Sequence, residues 1–146
     1  MNDVLAIKIY TDGGSRGNPG PAATGTHIED QDGKILAEIG KTIGITTNNV
    51  AEYKAIIEGL SWILENKNNL INLKKIDFLM DSNLAAMQLN GIYRIKNPGL
   101  RILLFKAREI ESQIKLPITY KHIPREQNKK ADRLVNIALD KESNLL

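Results

Sequence analysis

Val4-Leu5-Ala6-Ile7-Lys8-Ile9-Tyr10-Thr11 runs straight into Asp12-Gly13-Gly14-Ser15-Arg16-Gly17-Asn18-Pro19-Gly20-Pro21. The first stretch alternates apolar and polar residues, with Val4, Ala6, Ile7 and Ile9 apolar, so Val4–Thr11 reads as a strand. The second is dense in glycine and proline and predicts that the strand breaks at Asp12. A second strand is expected near Ala22–Glu29 and a third near Lys34–Gly44. Between them Gln31-Asp32-Gly33 makes a hairpin turn, because Asp-Gly supplies the positive-φ positions. Three antiparallel strands therefore open the chain.

Beyond them the period changes. Over Thr47–Glu65 the residues Val50, Tyr53 or Lys54, Ile57, Leu60, Ile63 and Leu64 recur at steps of three and four, which predicts a helix. Thr46, Thr47 and Asn48 are its candidate caps. Lys75–Met80 is a short apolar run and reads as a buried strand. Ser82–Leu89 is a short helix and Gly91–Asn97 a loop. Pro98 suits a first helical turn, and Pro98–Ile114 carries Leu100, Leu103, Leu104, Ala107 and Ile110 on one face. A fifth strand is expected at Pro117–Ile123. A last helix over Gln127–Asp140 places Ala131, Leu134, Val135, Ala138 and Leu139 on one stripe. The order β-β-β-α-β-α-α-β-α fits an α/β domain, a five-stranded mixed sheet flanked by helices.

The length, 146 residues, is that of a single domain, taken as residues 1–146. Hydrophobic residues make up 42% and charged residues 25%, which excludes a disordered or collagen-like chain. No apolar run is long enough to span a membrane, and the first residues resemble no secretory signal. A cytoplasmic monomer with no membrane partner is the expectation. There is no cysteine, so any metal must be held by oxygen or by His27 and His122. Residues 1–85 hold eight Lys/Arg against eleven Asp/Glu, and residues 86–146 hold twelve against six. A basic second half suits a polyanion, although solvated surface lysines produce the same count.

Four carboxylates stand out by position. Asp12 lies at the end of the first strand, Glu52 one turn into a helix, Asp81 directly after the fourth strand, and Asp132 at the start of the last helix. Strand ends and helix starts can converge on one edge of an α/β sheet. Four carboxylates brought together repel unless a cation neutralises them, and an oxygen-only set suits Mg²⁺ or Mn²⁺. Singly, each has an ordinary structural role. Asp12 can shape a turn, Glu52 and Asp132 can sit favourably at helix starts, and Asp81 can cap the helix that follows.

The flanking motifs resemble those of type 1 ribonuclease H over about Ile7–Leu139. They are Tyr10-Thr11-Asp12-Gly13-Gly14-Ser15-Arg16-Gly17-Asn18-Pro19-Gly20, Thr46-Thr47-Asn48-Asn49-Val50-Ala51-Glu52, the strand ending in Asp81-Ser82, and His122-Ile123-Pro124-Arg125-Glu126-Gln127-Asn128-Lys129-Lys130-Ala131-Asp132. The resemblance implies a ribonuclease H-like fold and an endonuclease that cuts the RNA strand of RNA–DNA hybrids with two Mg²⁺ ions, Mn²⁺ being a possible substitute. It implies that Asp12 bridges both ions, that Glu52 and Asp81 lie on the leaving-group side, and that Asp132 holds the ion delivering the nucleophilic water. The products would carry 5′-phosphate and 3′-hydroxyl ends.

The same resemblance assigns substrate contacts. Gly13, Gly14 and Asn18 would read the RNA 2′-hydroxyls. Thr47 and Asn49 would grip the DNA strand, Asn48 is a further substrate-binding candidate, and Asn83 stands where the family often has glutamine. His122 matches a histidine that assists proton transfer or product release, and a structural hydrogen bond in a strand is its alternative. His27, in mid-strand, reads as structural. A phosphate-binding loop is excluded for the glycine-rich stretch, which has no G-K-[ST] and leads into a strand. The Gly91–Asn97 loop is too short for the extra basic helix of some relatives and holds only Arg94 and Lys96, so hybrid binding is expected to be weak. Two other readings stay open: a duplex-binding module that does not cut, and a nuclease of this fold acting on double-stranded RNA.

Overall fold

The computed structural model describes residues 3–145. The opening alternation forms strand β1, Ala6–Ser15, which pairs antiparallel with β2, Gly20–Asp30, and β2 with β3, Ile35–Thr46. Strand β4, Lys75–Met80, lies parallel to β1, and β5, Ile118–His122, parallel to β4. The sheet order is β3-β2-β1-β4-β5. The hairpin turn is where the Asp-Gly signal puts it. Asp30 Oδ1 accepts from the Asp32 and Lys34 amides at 2.9 Å, and Gly33 takes φ +81°.

The helices are α1 (Asn48–Asn66), α2 (Asn83–Leu89), α3 (Pro98–Ile114) and α4 (Lys129–Leu145). Thr47, Ser82 and Asn97 cap the first three, each side-chain oxygen accepting an amide three residues on. Among the described residues, no helix is long and apolar enough to cross a membrane.

Side chains alternate across the sheet, so its two faces differ. One face buries Ile7, Ile9, Ile76 and Phe78 beneath Tyr53, Ile56, Leu60 and Ile63 of α1, and this core continues to Leu100, Ala107 and Ile110 of α3. The other face carries α4 over a small apolar cluster of Ala23, Val135, Ala138 and Leu139. The α3 and α4 stripes read from periodicity are therefore inward-facing. Leu103 and Leu104 are only partly buried.

Strand β1 does not break at Asp12. It continues through Gly13 and Gly14, which pair with Thr24 and Ala23, and the reversal comes later, at Arg16–Pro19, closed by the Arg16 amide on Pro21 O at 2.8 Å. Gly13 serves close approach rather than turning. A Cβ on Gly13 would stand 2.2 Å from the Ala51 carbonyl carbon, so α1 rests directly on the β1 backbone. Gly13→Ala is accordingly expected to destabilise the fold by about 3 kcal/mol, because backbone cannot yield as a side chain can. Urea unfolding that returned a wild-type midpoint would contradict this contact. The last helix also differs from expectation. It begins at Lys129 after a 3₁₀ turn over Arg125–Gln127 and runs past Asp140.

Candidate active site

The parallel pairing of β1 with β4 stops at Thr11↔Met80. The next residue of each strand is an acid, so register alone places Asp12 beside Asp81. Glu52 joins them because α1 lies against β1 at Gly13, one residue beyond Asp12. Asp12, Glu52 and Asp81 each offer a carboxylate oxygen, all within 4.8 Å of one another. Asp132, near the start of α4, lies outside that group of three but shares with it an open cleft of about 470 Å³.

The electrostatics follow from this crowding. Burial, then the charges of Asp81, Asp132 and Glu52, push the Asp12 carboxyl up to about 8. Burial pushes Glu52 up to about 7, with Asp81 adding to the rise and the Ser82 hydroxyl and Arg125 opposing it. Among the described residues, none of the four acids forms an ion pair. Three converging carboxylates, two of which, Asp12 and Glu52, are pushed toward the protonated form for want of countercharge, suit a divalent cation. The donor set is all oxygen, which favours Mg²⁺ or Mn²⁺ over softer ions.

The expected substrate contacts separate into groups. Gly13, Gly14, Asn48 and Asn49 line the cleft. Asn48 also ties the β1–β2 turn to α1, its Oδ1 accepting from Ser15 N at 2.8 Å and Ser15 Oγ at 3.0 Å. Asn18 accepts the Asn48 amide at 3.0 Å. Thr47 is occupied as a cap, and Asn83 is exposed at the start of α2, outside the cleft lining. Asp81 is not the α2 cap, since Ser82 takes that role. His122 ends β5 opposite Met80, exposed and outside the cleft lining. His27 is fully buried between Glu29 and Glu38.

Asn128 is the residue that motif reading left without a role. Its fully buried side chain donates to Thr11 O at 2.9 Å and to Asp81 Oδ2 at 3.4 Å. Its backbone carbonyl accepts the Asp132 amide at 3.1 Å. One asparagine thus ties together the positions of Asp12, Asp81 and Asp132. The available signal was an asparagine four residues before an acid at a helix start, a cap pattern. Arg125, which stands in the fourth motif, also lines the cleft.

A family model described as reverse transcriptase-like matches residues 10–138. The ribonuclease HI of Halobacterium salinarum is 41% identical over 134 residues, covering 92% of this chain and 64% of that protein. A bifunctional protein of Mycobacterium tuberculosis is 40% identical over 137 residues, covering 93% of this chain and 36% of its own length. The chain thus spans about a third to two thirds of these curated relatives. Among solved structures, LC11 ribonuclease H1, isolated from compost by a metagenomic approach, has a TM-score of 0.88 and 44% identity, with 97% of this chain and 99% of that one covered. The same protein in complex with an RNA/DNA hybrid gives a TM-score of 0.87 and 43% identity, covering 93% and 98%.

Proposed function

Because the chain belongs to the type 1 ribonuclease H family, we propose that it is an endonuclease hydrolysing the RNA strand of RNA–DNA hybrids, leaving 5′-phosphate and 3′-hydroxyl ends. The observation that carries this reading is the convergence of Asp12, Glu52 and Asp81 in one cleft with Asp132. A relative of nearly the same fold, solved on a hybrid, supports the choice of substrate. Asp12, Glu52, Asp81 and Asp132 would hold two divalent cations, Mg²⁺ or Mn²⁺, which supply a more acidic bound water and neutralise charge developing on the phosphate. Asp12 and Glu52 must surrender their protons when the site is loaded, so loading is favoured by rising pH.

Strand β1 supplies the RNA-facing backbone. Past Thr11 it has no β4 partner, and on that side the Gly13 and Ser15 amides donate to Asp12 Oδ1 and Asn48 Oδ1. This unpaired edge beside Asp12 is where main-chain groups meet 2′-hydroxyls. Asn18 is held at the same turn through Asn48. Thr47, Asn49 and Asn83, at or near the starts of α1 and α2, face the DNA strand. His122, exposed at the end of β5 and outside the cleft lining, would assist proton transfer or product release.

Labelled hybrid, duplex RNA and duplex DNA, each incubated with Mg²⁺, Mn²⁺ or EDTA, test the proposal. The expected result is metal-dependent cleavage of the hybrid's RNA strand and no cleavage of duplex DNA, which lacks every 2′-hydroxyl. Binding of the hybrid without cleavage in either metal, or cleavage confined to duplex RNA, would overturn it.

A further inference from the structure

The face of the sheet beneath α4 carries two adjacent cross-strand rows. Asp12, Gly25 and Gly40 form one, and Tyr10, His27 and Glu38 the other. They lie two residues apart along each strand, about 7 Å. The glycine row lets the helix touch the sheet. A Cβ on Gly25 would stand 2.2 Å from Ala131 O, and one on Gly40 would stand 2.8 Å from Leu134 O. The second row is polar. Buried His27 places Nε2 at 2.9 Å from Glu29 Oε2 and Nδ1 at 3.1 Å from Glu38 Oε2.

Those two carboxylates also reach α4. The Oε2 atom of Glu29 that accepts from His27 lies 3.1 Å from Lys130 Nζ, and Glu38 Oε2 lies 4.0 Å from Arg133. Lys130 Nζ stands 5.5 Å from the centre of the Tyr10 ring, whose edge meets His27. Burial alone would raise the Glu29 carboxyl, but hydrogen bonds from His27 and Lys130 hold it below its ordinary value. Lys130 and Arg133 flank Asp132 in sequence. The apolar cluster under α4 draws on the helix only from Val135 onward. Ala131 is fully buried against Gly25, and the polar row adds side-chain contacts to the same turn of α4, which bears the fourth acid.

We infer that His27, Glu29 and Glu38 are positioning residues for the active site, clamping Lys130 and Arg133 so that α4 presents Asp132 at a set distance from Asp12. This rests on reading Asp132 as a member of the metal site. The side chains act through the helix and touch neither metal nor substrate.

Glu29→Gln keeps the shape and removes the charge shared by His27 and Lys130. It is expected to speed amide hydrogen exchange at Lys130–Leu134 about tenfold in the metal-free chain. It should weaken calorimetric Mg²⁺ binding about 10–100-fold, as losses of supporting contacts around metal ligands do. It should lower kcat while KM for the hybrid stays within about twofold. His27→Gln repeats the test from the other end of the network. Asp140→Asn is the control. It removes a different α4 ion pair, Arg16–Asp140 at 2.6 Å, and should leave exchange at Lys130–Leu134 and Mg²⁺ affinity near wild type. Unchanged exchange in both Glu29→Gln and His27→Gln overturns the clamp. Faster exchange with undiminished Mg²⁺ affinity, or an equal effect from Asp140→Asn, overturns the positioning of Asp132. A wild-type chain that binds Mg²⁺ yet cuts no hybrid would count against the proposed activity alone, with exchange and calorimetry still deciding the clamp.

Discussion

Asp81→Asn is expected to reduce Mg²⁺-dependent cleavage of an RNA–DNA hybrid at least about a thousandfold, equivalent to about 4 kcal/mol of transition-state stabilisation. Hybrid affinity should change less than about threefold. The substitution keeps the side-chain shape and removes one of three carboxylates whose oxygens lie within 4.8 Å of one another. An amide is a poor ligand for a hard divalent cation and brings no countercharge. Under the proposed function, substrate grip would come from groups spread along the cleft and the β1 turn, which this change leaves in place. Single-turnover cleavage in Mg²⁺, paired with fluorescence anisotropy of the hybrid in Ca²⁺, separates the two quantities. Turnover within about tenfold of wild type would remove Asp81 from the catalytic site.

The metal-free chain is expected to lose stability as pH rises from about 5.5 to about 8.5, and Asp12→Asn to abolish most of that loss. The sign follows from proton counts. Asp12 titrates near 8 in the fold against 3.8 ordinarily, and Glu52 near 7 against 4.5. Between those limits the folded chain holds protons that the unfolded chain has released, so stability falls with rising pH and levels off above about 8. Glu58 is also raised chiefly by burial, so its contribution has the same sign. Glu29, held low, acts only in the more acidic range and leaves this window untouched. Near pH 8 the asparagine variant should be more stable than wild type by a few kcal/mol in EDTA. Saturating Mg²⁺ should narrow the gap, since an ion bound only by the folded wild-type site stabilises that chain. Urea unfolding at the two pH values, with EDTA and with Mg²⁺, measures all four cases. A wild-type midpoint that rises with pH in EDTA would contradict the crowding of these acids.

The two predictions rest on different kinds of information. Asp12, Glu52, Asp81 and Asp132 were nameable as candidates because each stands beside a local signal, namely a strand end, a helix start or a short motif. The element order was legible for the same reason. Alternation at period two and recurrence at three and four residues are properties of short windows. They located α3 at Pro98–Ile114 and β4 at Lys75–Met80 without knowledge of their neighbours.

Local windows misread the glycines. Asp12-Gly13-Gly14 carries the composition of a turn, yet the strand continues, because the requirement met at Gly13 is room for the α1 backbone, a contact between residues 38 positions apart (51 − 13). The buried charges were equally invisible. His27 and Glu29 look like ordinary polar members of an alternating strand, and only the register that sets Tyr10, His27 and Glu38 in one row, with Lys130 above Glu29, shows why charge can be buried there. Asn128 gains its role by reaching Thr11, 117 residues away. The residue types able to bind metal and the periodicities that make strands and helices are written along the chain. Which oxygens come within 4.8 Å of one another, and which helix rests on which glycine, depend on strand register and backbone approach, and those exist only once distant segments have packed.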